Sequence, residues 1–116
     1  MTPSDTENFV YYNTQFARQI NANAHDKGFY DGVEFNVGEK LMLVVTELAE
    51  AMEGFRCVPP KLDEHCPAFQ NVEIEIADAM IRLFDFAQEA GLRVFDAMLA
   101  KHAFNKTRPR KHGKTC

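Results

Sequence analysis

The sequence predicts an all-α protein, a four-helix, bundle-like fold in one domain, and three observations carry that expectation. Apolar residues recur every three or four positions along four separate stretches. Proline is confined to the chain start, one connection and the tail, where it cannot break a helix interior. Val and Ile are too scattered to alternate over any length, so no sheet is expected.

The first helix is expected over about Thr6 to His25. Ser4 or Asp5 can cap it, Glu7 falls in its opening turn, and Phe9, Tyr12, Phe16, Ala17 and Ile20 recur at helical spacing before Gly28 interrupts. "DKGFYDGVEFNVG" holds three glycines and has no period, so it reads as a loop with aromatics at its surface. A second helix follows from about Glu39 to Arg56, where Leu41, Val44, Val45, Leu48, Ala49, Met52 and Phe55 form a broad apolar face. The three prolines of "CVPPKLDEHCPAF" remove backbone donors and fix φ, which makes that stretch a connection. A third helix is expected from about Asn71 to Ala90, stopped by Gly91, and a shorter fourth from Leu92 to about Asn105. "TRPRKHGKTC" is a tail with little helical character.

At 116 residues the chain fits one domain, residues 1–116, whose last part from about 106 is the basic tail. A hydrophobic share of 46% and a charged share of 26% are those of a soluble globular protein and disfavour disorder. No apolar run approaches the roughly 20 residues of a membrane span, and "MTPSDTENF" lacks the basic-then-apolar order of a secretory signal, so the expected compartment is the cytoplasm. Cys57, Cys66 and Cys116 are odd in number and irregular in spacing, and are read as free thiols. Six of the thirteen Lys/Arg and none of the seventeen Asp/Glu lie after Ala100. An acidic body therefore ends in a basic tail.

The two central helices each carry acids three residues apart, Glu47 and Glu50 in "ELAE" and Glu75 and Asp78 in "EIAD". Residues at i and i+3 share a helix face, so two antiparallel helices could bring all four carboxylates together. Without a cation such a group repels itself, and some members must protonate or the helices must splay. Hard divalent ions such as Mg2+ answer that problem with oxygen ligands. No His follows a Glu by three residues, which disfavours a ferritin-like di-iron site, and Cys57, His65 and Cys66 do not make a regular zinc pattern. The competing interpretation is a solvated stripe from Glu75 through Asp78 and Arg82 to Asp85, with an i,i+4 ion pair between Asp78 and Arg82.

"GEKLMLVVTELAEAMEGFR", "NVEIEIADAMIRLFDFA" and "KHAFNKTRPRKHGK" together resemble the MazG-like branch of the all-α nucleoside triphosphate pyrophosphohydrolases over roughly Gly28 to Lys114. That family carries Glu-x-x-Glu on one helix and Glu-x-x-Asp on the next, and 24 residues separate Glu50 from Glu75 here. The resemblance implies Mg2+-dependent hydrolysis of a (deoxy)nucleoside triphosphate to the monophosphate and pyrophosphate, with Mn2+ able to substitute. It implies Glu47, Glu50, Glu75 and Asp78 as metal ligands, and Glu50 is the first choice for the base that prepares the attacking water. Many members have a further Glu directly before the first motif acid, where this chain has Thr46. If that acid prepares the water, its task passes here to a neighbour or to water on the metal.

The anionic substrate needs positive partners as well. Lys101, Asn105, Arg108 and Lys111 are the expected phosphate ligands, preferred over Lys114, because an ammonium, an amide and a guanidinium fork suit phosphate oxygens. Phe29 and Tyr30 are candidates for stacking on the base, against the alternative that Phe29 caps the core, and Asn21 and Asn23 are candidates for reading base edges. Wide apolar faces suggest self-association, and the resemblance implies a homodimer or homotetramer in which a neighbouring subunit completes the nucleotide pocket. No membrane or nucleic-acid partner is expected of the enzyme. The alternative is a non-catalytic helical module, either a nucleotide sensor or a nucleic-acid-interacting protein that uses the basic tail.

Overall fold

The computed structural model describes residues 1–113 and is all-helical in its named elements: α1 (Pro3–Asp26), α2 (Val37–Phe55), α3 (Asn71–Ala90), α4 (Val94–Thr107) and a short 3-10 turn at Arg110–Gly113. Lys114 and Cys116 lie outside the described residues. Cys57 and Cys66 are free thiols, as expected. No helix among the described residues is long and apolar enough to cross a membrane.

The helix ends follow local chemistry. α1 begins a turn earlier than expected, because Pro3 sits in its first turn, where a missing N–H costs nothing. Thr2 is the cap: its hydroxyl oxygen accepts from the Asp5 N–H at 3.1 Å, and the Asp5 carboxylate accepts from the Thr2 N–H at 2.9 Å. The Thr2 N–H, and after it the Thr2 side chain, hold the Asp5 carboxyl below its ordinary range. The Asn36 side chain accepts from the Glu39 N–H at 2.9 Å and starts α2. Gly91 closes α3 with φ of +69°, a left-handed conformation that suits glycine. α4 starts and ends two residues later than expected, at Val94 and Thr107.

α3 is the central element, packed most extensively on α2 and also on α1, while α4 packs on α1. Gly54 near the end of α2 meets Val72 at the start of α3, and Glu47 earlier in α2 reaches Arg82 later in α3, so the two helices run antiparallel. The connection between them is ordered by an isolated bridge, Leu62 to Gln70, and by the buried Asp63 carboxylate, which accepts from the N–H groups of His65 and Cys66. α4 is anchored by Phe95, whose ring meets Phe84 of α3 at 4.8 Å and Phe9 of α1 at 6.4 Å between centroids.

The buried apolar residues are Ala17, Val44, Ala51, Val72, Ala79, Ala87 and Phe95, a core of mostly small side chains. Much of the broad apolar face of α2 is exposed, including Leu41, Val45, Leu48, Met52 and Phe55. The radius of gyration is 17.1 Å, against about 13 Å for a compact chain of this length. The accessible surface is 8988 Å² for 13.2 kDa, roughly 2,600 Å² above the scaling for folded monomers. The four helices of one chain thus do not close on themselves.

A Cβ on Gly54 would sit 2.6 Å from Val72 Cγ2, too close without movement of one helix. Gly54→Ala is expected to destabilise the protein by about 1–3 kcal/mol through overpacking. Combining it with Val72→Ala should cost less than the sum of the two single changes, and urea denaturation of all four proteins measures the difference.

Candidate functional site

The α2–α3 pairing converts two sequence-local acid pairs into one group. Glu47, Glu75 and Asp78 each present a carboxylate oxygen, and these oxygens all lie within 4.8 Å of one another. All three residues are partly buried. Glu50 is exposed and stands at the rim, close enough to Glu75 to oppose its ionisation.

The electrostatics reflect that crowding. Glu75 is pushed up to about 7, first by loss of water around it and then by contacts with Glu47 and Glu50. Asp78 is also raised, by desolvation and by the charge of Glu47, while Arg82 pulls it the other way. Arg82 Nε donates to Glu47 Oε1 at 3.1 Å across the helix pair. Arg82 therefore pairs with Glu47 on α2, and no Asp78–Arg82 ion pair is present among the described residues. One guanidinium does not balance the acids gathered here, and the ion pair runs between helices, not along the α3 stripe.

Beyond Arg82 the same α3 stripe changes character. Asn21 Nδ2 donates to both Asp85 Oδ1 and Glu89 Oε2 at 2.9 Å, Tyr30 donates its hydroxyl to Asp85, and His25 Nε2 lies 2.8 Å from Glu89 Oε2. The Asn21 bond leads the causes that lower Glu89, whereas desolvation and Asp85 raise Tyr30. The His25 and Tyr30 rings stack at 4.4 Å, and Lys40 Nζ lies 4.5 Å from the Tyr30 ring centroid. Carboxylates at this end are satisfied by neutral donors and local partners. Those at Glu75 and Asp78 are not.

Several sequence-derived candidates are separated from the acids. A cleft of about 520 Å³ beside Glu50 and Glu75 is lined by Glu53, Cys57, Lys61 and Asn71 among others, and by none of Lys101, Asn105, Arg108 or Lys111. All four of these residues, two on α4 and two beyond it, are exposed, with Lys101 and Arg108 positioned over Phe104 at 4.9 and 5.8 Å. Asn21 Nδ2 and the Tyr30 hydroxyl both donate to Asp85. Phe29 is 66% exposed, so it does not cap the core and stays available. Asn23 is exposed. Thr46 donates its hydroxyl to the Leu43 carbonyl at 2.7 Å and supplies no base.

No family model, curated protein or solved structure matches the chain. Hard oxygen donors from neighbouring rigid helices suit a hard divalent cation. On an octahedral ion with bonds of about 2.1 Å, oxygens sit about 3 Å apart when adjacent and about 4.2 Å when opposite. The mutual spacing of Glu47, Glu75 and Asp78 needs little adjustment to meet those values. Arg82, Lys61 and Asn71 are the neighbours that sequence reasoning missed as site components. Only Arg82 left a signal, as a base in an acidic stripe, and its i,i+4 spacing pointed to the wrong partner.

Because Glu75 binds its proton more tightly when folded, at about 7 against an ordinary 4.5, its ionisation opposes folding. Between those values the folded chain holds a proton the unfolded chain has lost, so stability falls as pH rises through the window. The cation-free protein should accordingly melt at a lower temperature at pH 8 than at pH 5. Glu75→Gln should flatten that slope, and Mg2+ should raise the melting temperature more at pH 8 than at pH 5, as followed by circular dichroism.

Proposed function

We propose that the protein is a divalent-cation-dependent nucleoside triphosphate pyrophosphohydrolase of the MazG-like, all-α kind. It would release pyrophosphate from a (deoxy)nucleoside triphosphate and leave the monophosphate. The observation that supports this most is the convergence of Glu47, Glu75 and Asp78 from two helices, with one carboxyl held near neutrality by its neighbours. In this reading Glu47, Glu75 and Asp78 hold Mg2+ or Mn2+, with Glu50 joining from the rim. When bound, the cation supplies charge neutralisation at the phosphates and acidifies water.

The remaining tasks fall to side chains. Glu50 is exposed at the rim of the acid group, where it can take the proton from a water whose oxygen bonds to the α-phosphorus. The bond from that phosphorus to the bridging oxygen breaks, and its electrons leave with pyrophosphate. Arg82 is already oriented at the site by Glu47, and its planar fork suits a phosphate oxygen. Lys61 and Asn71 line the adjoining cleft and add a charge and an amide there. Lys101, Asn105, Arg108 and Lys111 enter the reading only through an assembled homodimer or homotetramer, in which one chain's tail meets another chain's acids. Phe29 remains the candidate for stacking on the base.

A second reading, a nucleotide sensor without turnover, is favoured by one observation: Thr46 has its hydroxyl committed within the helix, where a base would otherwise stand. The basic tail would then serve nucleotide or nucleic acid alone.

The two readings separate in a pyrophosphate-release assay across the common ribo- and deoxyribonucleoside triphosphates. The enzyme reading expects turnover that needs Mg2+ or Mn2+, and Glu50→Gln should lower kcat by about a hundredfold or more, in the range for losing a general base. Turnover retained in Glu50→Gln removes Glu50 as the base, and binding with no hydrolysis of any nucleotide supports the sensor. Arg82→Gln is expected to raise KM roughly tenfold, the loss of one charge-assisted contact of about 1.4 kcal/mol.

A further inference from the structure

A buried carboxylate is costly unless its oxygens find donors, and among the described residues Asp63 is the only polar or charged one that is buried. It stands in the connection between α2 and α3. Its Oδ2 accepts from the His65 and Cys66 N–H groups at 3.0 and 2.8 Å, and its own N–H donates to the Phe69 carbonyl at 2.9 Å. The turn so closed brings the chain back beside itself. Leu62 bridges Gln70, and the Asn71 N–H donates to the Lys61 carbonyl at 2.8 Å. Lys61 and Asn71 are therefore neighbours across the turn, and both line the cleft beside Glu50 and Glu75.

That cleft carries the carboxylates of Glu50, Glu53 and Glu75, and Lys61 is the one cationic side chain lining it. Lys61 forms no ion pair among the described residues. A polyanion entering the cleft meets net repulsion unless the ammonium is in place when it arrives. A lysine on a loose loop loses backbone and rotamer freedom on binding, whereas one beside a closed turn has given up part of it in folding. We propose that Asp63 is a positioning residue for nucleotide binding: the turn it closes holds Lys61 and Asn71 together at the cleft, where the ammonium and the amide meet the phosphate chain. In this role, which rests on the nucleotide reading of the acid group, Asp63 touches no substrate. Its charge also adds to the desolvation and the Glu47 charge that raise Asp78, so turn and charge need separate variants.

Isothermal titration calorimetry in Mg2+ with α,β-methylene analogues of the common ribo- and deoxyribonucleoside triphosphates tests this without turnover. Lys61→Ala and Asp63→Ala are each expected to raise Kd about tenfold, the loss of one charge-assisted contact. The double variant should bind no more weakly than Asp63→Ala alone, because the turn acts through Lys61. Asp63→Asn keeps an oxygen that can accept from both N–H groups and should stay within about threefold of wild type. Should Asp63→Ala fail to fold, Asp63→Ser, with a weaker acceptor, is expected to raise Kd at least about threefold in its place. Wild-type affinity in Lys61→Ala, full additivity in the double variant, or an Asp63→Asn as weak as Asp63→Ala would each overturn the proposal. A wild type that binds none of these nucleotides overturns the nucleotide reading itself, and this role of Asp63 with it.

Discussion

The packing of α3 on α2 sets Glu75 beside Glu47 and Glu50. Gly54 against Val72 and the small residues Ala51 and Ala79 bring the helices close, so the acids are held near one another whatever their mutual repulsion. The protein meets that repulsion in three ways at once. One carboxyl keeps its proton to near neutrality, one acid takes Arg82, and one stays at the solvent edge. None of these removes the demand for positive charge. A hard cation does so most directly, and the functional reading grows from that demand.

The α3 stripe shows how differently one residue type is treated over a short distance. Asp85 and Glu89 receive amide, phenol and imidazole partners from α1 and the loop that follows it. These carboxylates are structural: they tie the Gly28–Gly32 loop and the end of α1 to the central helix. Their satisfaction isolates the other half of the stripe as the part with unmet charge. It also ties in Tyr30, an aromatic in a glycine-bounded loop whose hydroxyl donates to Asp85.

Much of this was legible in the sequence. The bounds of α3 followed from Gly91, which takes the left-handed turn glycine allows, and from the proline-containing connection upstream. Convergence of the acids followed from their i,i+3 spacing on two helices joined by a turn. The start of α1 was misplaced, because Ser4 and Asp5 are as good capping residues as Thr2, which is the cap, with Pro3 in the first turn. Partner choice was hidden too: Arg82 has the length to reach α2, and local spacing does not say that it will. The apolar face of α2 was visible too, yet periodicity does not say how many such faces one chain can fold over, and the open packing here leaves several bare.

Among the described residues, four of the seven buried apolar ones are alanines, Ala17, Ala51, Ala79 and Ala87. Such a core brings helices close but takes little hydrocarbon out of water, and the heat-capacity increment of unfolding scales with that hydrocarbon. An isolated chain would therefore have a shallow dependence of stability on temperature, with neither a sharp optimum nor a steep cold limit. The curvature expected of an ordinary globular protein would have to come from whatever dries the exposed face of α2.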